Sequence, residues 1–361
     1  MSQKRKKFIS LAEKRVEKTL HNLKLIGNLS NKSAYEYTEA DVTEIFKALQ
    51  KERQERGAIN FETQESQFIF NTDRKIEDIV PVTRNDAHKM IEECMLIANV
   101  ASARFLQKHN QPCLFRVHEG PNSKKLGFLR QFLGERGLEL NGQEKPTPQD
   151  YGQLLQQIEG HADKSVVQTM LLRSMSQASY QVENLGHFGL AFNAYTHFTS
   201  PIRRYPDLLV HRAIRQIIRS EQDCKDVKRK PKQSLLSKKS IYPYSIEQLV
   251  ALGEHCSMAE RRAEEASRDV SSWLKCEYLQ QHLGNVFKGH IVAVTNFGFF
   301  VELDDLFIEG LVHVSQLGQD FFQFDQGKQR LVGEHSRQVF NLGDGVVVRV
   351  SKVELDDRKI H

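Results

Sequence analysis

The residues best suited to chemistry lie in the stretch SPIRRYPD, residues 200–207. Pro201 can open a helical turn, because it lacks only an N–H that would have no partner at that position. Such a turn presents free backbone N–H groups and the positive end of a helix dipole. Arg203 and Arg204 there predict a phosphate-binding site, with Tyr205 able to stack on a base. A surface arginine pair bonded to helix carboxylates is the alternative.

Two further groups of ionisable residues are candidates. Glu92 and Glu93 lie beside the apolar stripe of a predicted helix, so at least one carboxylate should be near the interior and need a partner. Arg84 or a metal could be that partner. His118 and Glu119 end a predicted strand before a glycine and could bind a ligand or transfer a proton. Structural ion pairs and hydrogen bonds would explain both groups equally well.

Aromatic residues crowd around a glycine in the strand-like stretch VTNFGFFVEL. Because side chains alternate between faces along a strand, at least one ring must face outward. We expect Phe299 in the core and Phe297 and Phe300 outside, with His313 on a nearby strand and Lys288 available. Outward rings beside basic groups stack on single-stranded nucleic acid, for about 1 to 3 kcal/mol per base.

The elements that must position these residues are both helices and strands. Apolar periodicity predicts helices over 8–27, 38–57, 86–109, 123–137, 147–180, 207–219 and 245–283. β-Branched runs predict a strand pair between 58 and 83, and short strands with glycine turns predict a small barrel from 284. The helix capped by Asn85 is expected to bury one face, which carries Ala87, Ile91, Cys94, Met95, Ala98, Ala101 and Phe105.

Composition bounds the class of protein. The 361 residues suffice for two or three compact units, and 51 Lys and Arg against 46 Asp and Glu give a mildly basic net charge of +5. That charge does not by itself select nucleic acid as a partner. The five cysteines are widely spaced without a CxxC pair, which predicts neither a disulfide framework nor a zinc site. The absence of a secretory signal or an apolar span predicts a cytoplasmic location.

Five stretches resemble a known family. They are, in order, NDAHKMIEECMLIAN, FRVHEGP, LLRSMSQASY, HFGLAFNAYTHFTSPIRRYPDLLVHRAI and RRAEEASRDVSSWLK. Together they resemble the catalytic domain of the ribonuclease II family, in its ribonuclease R branch. The segment after Gly284 looks like the S1-type OB-fold that follows that domain. The resemblance begins near residue 35 and continues to the last residue.

The resemblance implies an α+β chain. A mixed α/β catalytic domain, incomplete at its N-terminus, would occupy residues 36–283, with a loop or insertion at 220–245. A small five-stranded OB-fold β-barrel that binds RNA would occupy 284–361 and be cut at its last strand. Residues 1–35 would form a basic helical extension. The chain therefore looks like the C-terminal portion of a ribonuclease R.

The family implies a processive 3′-to-5′ exoribonuclease that threads single-stranded RNA and releases nucleoside 5′-monophosphates. Position by position, the resemblance puts Arg203 at the scissile phosphate, Glu92 beside the metal cavity and Phe61 at the clamp on the terminal base. Further RNA contacts would come from Arg204, Tyr205, Lys288, Phe297, Phe300 and His313. The expected partner is single-stranded RNA, with the ribosome or RNA-processing proteins as further candidates. We expect a monomer that does not bind membranes.

The metal chemistry of the family departs from this sequence. The family is expected to bind Mg²⁺ through aspartates clustered within about ten residues, since hydrolysis by metal-activated water needs hard oxygen ligands. The early aspartates Asp41, Asp73 and Asp78 are scattered instead. We therefore predict no metal ligand in this chain, which argues against catalysis by the chain alone. The alternative function is a non-catalytic single-stranded RNA-binding fragment or module.

Overall fold

The structure is a computed structural model that describes residues 39–59, 61, 66–82, 85–161, 163–219 and 237–361. The helix predicted over 8–27, the N-cap Thr38 and most of the loop at 220–245 lie outside the described residues. The chain divides into two units. Unit 1 comprises Met1–Glu55 and Arg84–Ala98, and unit 2 comprises Arg56–Thr83 and Asn99–His361.

Helices and strands both contribute, as the sequence predicts. The described helices are α1 (Glu39–Arg56), α2 (Asp86–Lys108), α3 (Ser123–Gly134), α4 (Pro148–Gln157), α5 (Lys164–Ser174), α6 (Tyr205–Arg219), α7 (Lys238–Ile241) and α8 (Ile246–Gln280). The described strands are β1 (Ser66–Phe70), β2 (Ile76–Pro81), β3 (Phe115–Val117), β4 (Ser179–Gln181), β5 (Val286–Thr295), β6 (Gly298–Leu303), β7 (Glu309–His313), β8 (Phe322–Asp325), β9 (Arg330–Gly333), β10 (Val339–Asn341), β11 (Gly345–Arg349), β12 (Val353–Glu354) and β13 (Lys359–Ile360). The α+β class is confirmed.

Helix α2 begins where the sequence predicts, but its predicted core face is wrong. Asn85 caps the helix, since its Oδ1 accepts the backbone N–H of His88 at 3.0 Å. Ile91, on the predicted face, is 55% exposed. The buried residues are instead Glu93, Leu96, Asn99, Val100, Ser102, Ala103 and Leu106. The periodicity was misread because this buried stripe contains polar residues that have hydrogen-bonding partners.

The single helix predicted over 147–180 is also wrong, because the chain breaks it twice. Thr147 and Asp150 form a capping box at the start of α4, with Pro148 in the first helical position. Gly160 then takes a φ of +80°, which a residue with a side chain adopts only at a cost, and α5 begins at Lys164. The end of the predicted helix is strand β4.

Helix α8 agrees with its prediction and packs tightly on β4. Ser245 caps it through a capping box with Gln248. A Cβ placed on Gly253 would lie 2.7 Å from the carbonyl oxygen of Tyr180, so only glycine allows this approach. The hydroxyl of Ser257, one turn later, accepts the backbone N–H of Tyr180 at 2.9 Å. The helix thereby covers the edge of the β3–β4 pair.

The strands form small antiparallel sheets. β1 pairs with β2, and β3 pairs with β4. In the C-terminal part the sheets have the orders β11-β5-β6-β7, β10-β9-β8 and β12-β13. No closed barrel is detected in the described part of the chain, which differs from the barrel that the strand pattern predicts. Strands β12 and β13 have only two residues each and pair with each other, while Ile360 packs on Gly310 of β7.

Three apolar clusters hold unit 2 together. The first joins α3, α4 and α5 to the strands of the C-terminal part through residues such as Phe132, Leu154 and Phe299. The second packs β3, β4, α6 and α8 around Leu114, Tyr180 and Leu209. The third joins the β1–β2 hairpin to the end of α8 and to the C-terminal strands. None of the described helices combines the length and apolarity needed to span a membrane.

Candidate functional site

The segment that carries the predicted arginines is fastened to β3 and α2 within unit 2. The backbone N–H of Arg116 donates to the carbonyl of Tyr195 at 2.9 Å. The hydroxyl of Thr196 donates to the carbonyl of Leu114 at 2.6 Å. The N–H of Phe198 donates to Oδ1 of Asn99 at 2.9 Å. The turn that follows therefore starts from a fixed position.

The two arginines of this turn have different surroundings. Their backbone N–H groups both donate to the carbonyl of Ser200, and α6 begins immediately afterwards at Tyr205. Arg204 donates to Oδ1 of the fully buried Asp207 at 2.8 Å, and the same oxygen accepts the N–H of Ser200 at 2.7 Å. Arg203 is exposed and forms no ion pair with any described residue. A helix carboxylate thus neutralises Arg204 but not Arg203.

Sequence reasoning missed a third arginine of this site. The guanidinium of Arg116 lies 4.7 Å from the ring centroid of Tyr180, its partner across the β3–β4 pair. It also donates to Oε2 of Glu260 on α8 at 2.6 Å. Arg116 belongs to FRVHEGP, one of the stretches that carry the family resemblance, and Glu260 immediately precedes another, RRAEEASRDVSSWLK. A signal was available, since an arginine in the middle of a short strand needs a nearby anion when the strand is buried.

His197 lies among these charges. Its Nδ1 is 2.8 Å from the hydroxyl oxygen of Tyr180. Burial, and after it the positive charges of Arg204, Arg116 and Arg203, together lower the pKa of His197 to about 2. Burial also raises the pKa of Tyr180 well above its usual range. Both side chains are therefore neutral in the folded protein at physiological pH.

His118, a candidate for ligand binding or proton transfer, is held by two backbone groups. Its Nε2 donates to the carbonyl of Ser176 at 2.8 Å, and its Nδ1 accepts the N–H of Gly189 at 3.0 Å. Burial lowers its pKa, and burial also lowers the pKa of the neighbouring His187 to about 3. Both ring nitrogens of His118 are thus bonded to backbone groups, while Glu119 is exposed.

In unit 1 the carboxylate near the interior is Glu93. It is 4% exposed and accepts a hydrogen bond from Arg53 of α1. The expected partner Arg84 lies outside the described residues. Glu92, the residue chosen from the sequence, lies 3.7 Å from the same guanidinium and its side chain is 46% exposed. The expectation of one interior carboxylate with a partner is thus met by the neighbouring residue.

The predicted aromatic contacts are placed as follows. Phe61 is partly buried and packs on the cluster formed by α3, α4 and α5. The ring of Tyr205 is 42% exposed, and its hydroxyl lies 3.3 Å from that of Tyr244. The Tyr244 hydroxyl in turn accepts a hydrogen bond from Arg212 at 2.6 Å. A tyrosine–arginine chain thus orients the ring that follows the arginine pair.

In the C-terminal part, three of the four predicted RNA contacts come together. Phe297 is 44% exposed, and its ring centroid lies 6.3 Å from that of Phe300 at 87°. Gly298, between the two phenylalanines, pairs with His313 on β7. Phe299 is buried, as expected. Lys288 is exposed but lies on β5 five residues before Ala293, the partner of Phe300, so it is roughly 16 Å away along the strand.

The described residues do not form a metal site. Among them, no group of three or more His, Cys, Asp or Glu side chains is placed to hold a metal ion. The two carboxylates nearest to the arginines, Asp207 and Glu260, are each bonded to a guanidinium. Hydrolysis by metal-activated water needs several oxygen ligands around one ion. The residues present therefore do not fit Mg²⁺, and no step through a metal follows from their geometry.

The comparisons with known proteins place this arrangement in a family. The model of the RNB domain matches residues 9–220, and that of the S1 RNA binding domain matches residues 280–361. The chain therefore belongs to the RNB family of exoribonucleases and carries an S1 domain. Its curated relatives are ribonuclease R proteins, which confirms the resemblance found in the sequence.

Ribonuclease R of Escherichia coli is 54% identical over 316 residues, and that of Vibrio parahaemolyticus is 52% identical over 316 residues. Each match covers 88% of this chain but only 38% and 37% of the relatives, so the chain spans little more than a third of their length. Among solved structures, RNase R of Mycoplasma genitalium in complex with ribose-methylated single-stranded RNA has a TM-score of 0.78 and 25% identity. That match covers 94% of this chain and 52% of that one.

Proposed function

We propose that this chain is part of a ribonuclease R-like enzyme that degrades single-stranded RNA processively from its 3′ end to nucleoside 5′-monophosphates. The observation that carries the proposal is that Arg203 is exposed, while the adjacent Arg204 is bonded to the buried Asp207. Arg116 lies over the ring of Tyr180, whose hydroxyl is bonded to His197 of the same segment. Family membership supports it, as does the RNA complex of the M. genitalium protein.

The charges of the cluster favour a bound phosphodiester. The cluster contains three guanidinium groups and two carboxylates, those of Asp207 and Glu260, so its net charge is +1. The carboxylates hold Arg204 and Arg116 in place, and Arg203 keeps its N–H donors available. A guanidinium that binds a phosphate oxygen also stabilises the negative charge that grows there during hydrolysis. Arg203 is thus proposed as the residue at the scissile phosphate.

A metal is proposed from family membership alone, because the described residues do not supply its ligands. The RNB family suggests a metal-dependent nuclease, and Mg²⁺ is the ion that the sequence resemblance implies. When bound, such an ion would supply an activated water and neutralise charge at the phosphate. The roles of the residues of this chain are to bind and orient the phosphate.

The other site residues remain predictions. Phe61 is proposed as the clamp on the terminal base, and Glu92 as a carboxylate beside the metal cavity. Arg204, Tyr205, Lys288, Phe297, Phe300 and His313 are proposed as RNA contacts. A cytoplasmic location, a monomeric state and an association with the ribosome or RNA-processing proteins remain predictions too.

The test measures the binding of a 5′-labelled single-stranded oligoribonucleotide to the chain by fluorescence anisotropy. Arg203→Ala should weaken binding by about tenfold, the value of one charge-assisted hydrogen bond. Arg203→Lys is the matched control, because it keeps the charge but loses the planar fork, and it should retain part of the affinity. Equal RNA affinities of the unchanged chain, Arg203→Ala and Arg203→Lys would show that Arg203 does not bind the phosphate.

The second candidate is a non-catalytic RNA-binding module. Its specific support is that the described residues contain no metal-holding group and that the sequence has no aspartate cluster. This candidate expects RNA binding that weakens steeply with salt, because counterions are released from the phosphates, and no Mg²⁺-dependent shortening of the RNA. If the purified chain releases mononucleotides in the presence of Mg²⁺ and Arg203→Ala does not, the result would support the enzyme over the binding module.

A further inference from the structure

His197 and Tyr180 form a hydrogen bond whose direction the surrounding groups determine. The Tyr180 hydroxyl oxygen and Nδ1 of His197 are 2.8 Å apart. The tyrosine keeps its proton, because burial raises its pKa, and the imidazole stays neutral, because burial and nearby guanidinium groups lower its pKa. The hydroxyl is therefore the donor and Nδ1 the acceptor. A neutral imidazole that accepts at Nδ1 carries its proton on Nε2.

Cationic and neutral groups both surround the ring. The guanidinium groups of Arg204, Arg116 and Arg203 oppose the protonation of His197. The ring of Tyr195 lies 5.7 Å away in an edge-on contact, and in the described part of the chain Tyr180 is the side chain bonded to Nδ1. Among the described residues, Nε2 has no hydrogen-bonding partner. A neutral N–H donor is thus held by the tyrosine whose ring lies under Arg116, in the segment that leads to Arg203 and Arg204.

We propose that His197 is a further RNA-binding residue, whose Nε2–H donates to a non-bridging oxygen of the phosphate held by the arginines, and that Tyr180 is a positioning residue that fixes the imidazole tautomer. The inference rests on the proposed function, because it uses the same phosphate. An oxyanion attracted by the guanidinium groups needs further donors, and Nε2–H supplies one without adding charge.

The position of Tyr180 explains why it can fix this tautomer. Its backbone N–H is held by Ser257 of α8 at 2.9 Å, and its ring lies under the guanidinium of Arg116. Arg116 is in turn bonded to Glu260. The hydroxyl therefore has a fixed position from which to donate to Nδ1, and the imidazole is oriented before the phosphate arrives.

Two substitutions of His197 distinguish the contribution of Nε2 from that of Nδ1. The amide N–H₂ of Gln reaches the place of Nε2, whereas that of Asn reaches only the place of Nδ1. His197→Gln should therefore keep most of the affinity for a 5′-labelled single-stranded oligoribonucleotide, and His197→Asn should lose about tenfold. Tyr180→Phe keeps the ring but loses the hydroxyl, so that both tautomers form and the affinity falls a few-fold. Circular dichroism and thermal unfolding verify that each variant folds.

Two readouts distinguish this role from a structural one. Long-range ¹H–¹⁵N correlation spectra of the imidazole should show a single Nε2–H tautomer in the unchanged chain and a mixture in Tyr180→Phe. His197→Asn and Arg203→Ala should also be non-additive in RNA affinity, because both act on one phosphate. Equal affinities of the Asn and Gln variants, an Nδ1–H tautomer, or full additivity would each overturn the inference.

Failure of the inference and failure of the proposed function give different results. If Arg203→Ala weakens RNA binding while His197→Asn does not, the phosphate site stands and His197 is not part of it. If neither substitution changes RNA binding, the phosphate site itself is wrong and the inference falls with it.

Discussion

Arg116 of β3 and Glu260 of α8 are 144 residues apart in the sequence and form a 2.6 Å ion pair at the centre of the candidate site. The side chain of Arg116 is 13% exposed and that of Glu260 is 29% exposed. The pair therefore fixes α8 to the strand that carries one of the three arginines.

Removal of this carboxylate should destabilise the protein. Glu260→Ala leaves a largely buried guanidinium without its acceptor, and we expect a loss of about 1 to 3 kcal/mol in the free energy of unfolding. Urea denaturation measures it. Glu264→Ala, at an exposed position one turn further along the same helix, should change the stability by less than about 0.5 kcal/mol. Equal effects of the two substitutions would show that the ion pair contributes nothing.

The buried Asp207 should be more costly to remove. Its Oδ1 accepts from both Ser200 and Arg204, so Asp207→Ala leaves two donors without a partner, one of them charged. We expect a loss of about 3 to 5 kcal/mol in the free energy of unfolding, and weaker RNA binding because the arginine turn loosens. Asp207→Asn keeps an acceptor for Ser200 and should lose less. A stable Asp207→Ala protein with unchanged RNA affinity would contradict this account of the turn.

Gly253 tests the close contact between α8 and β4. An added Cβ would meet the carbonyl of Tyr180 at 2.7 Å and a methyl group of Leu114 at 3.2 Å. Gly253→Ala should therefore cost about 1 to 3 kcal/mol in the free energy of unfolding, although alanine is the better helix former. In the control Gly127→Ala, on α3, no atom lies within 4 Å of the new methyl group, and a gain of up to about 1 kcal/mol is expected. A gain in stability from both substitutions would show that α8 can shift away from β4 without cost.

The histidines of the site predict a pH dependence of stability. The pKa of His187 is about 3 and that of His197 about 2 in the folded protein, against about 6.5 in an unfolded chain. Between these values the unfolded chain binds more protons, so the free energy of unfolding falls as the pH is lowered from 7 towards 5. Each histidine contributes a slope of at most about 1.4 kcal/mol per pH unit. His187→Gln should flatten the slope measured by urea denaturation, and an unchanged slope would show that His187 is accessible to protons.

The exposed Phe297 and the half-buried Phe300 of the C-terminal part should bind RNA rather than stabilise the fold. Phe297→Ala and Phe300→Ala should each weaken binding of single-stranded RNA by about 1 to 3 kcal/mol, with little change in thermal unfolding. The matched control is Phe321→Ala in the same domain, since Phe321 is 65% exposed. Phe299→Ala should instead destabilise the domain by about 3 to 5 kcal/mol, because this ring is buried. Equal RNA affinities of the Phe297, Phe300 and Phe321 variants would argue against a stacking surface.

Local sequence signals predicted the elements whose ends are marked by capping or turn residues. Helix α8 begins at a serine cap and α2 at an asparagine cap, and both appear where these residues indicate. The β1–β2 turn is likewise held by Asn71, whose Oδ1 accepts from Asp73 and Lys75. The long helix over 147–180 failed because its apolar periodicity continued across the break at Gly160.

The site could be predicted only in part, because its residues are distant in sequence. The turn with Arg203 was visible as a motif, and so was the alternation that exposes Phe297. The pair of Arg116 and Glu260 leaves no local pattern, and its members meet only when α8 packs on β4. The buried stripe of α2 was hidden for a related reason, since Glu93 and Asn99 are buried with partners from other segments.

Helix α8 has 35 residues, so it is about 52 Å long. Its first half carries Ser257 and Glu260, while Cys276 and Leu279 are buried near its end, where Leu279 packs with apolar side chains of the S1 domain. Residues 261–268 between them are exposed. The helix is therefore anchored at both ends, so that one continuous helical rod joins the strand that carries Arg116 to the S1 domain.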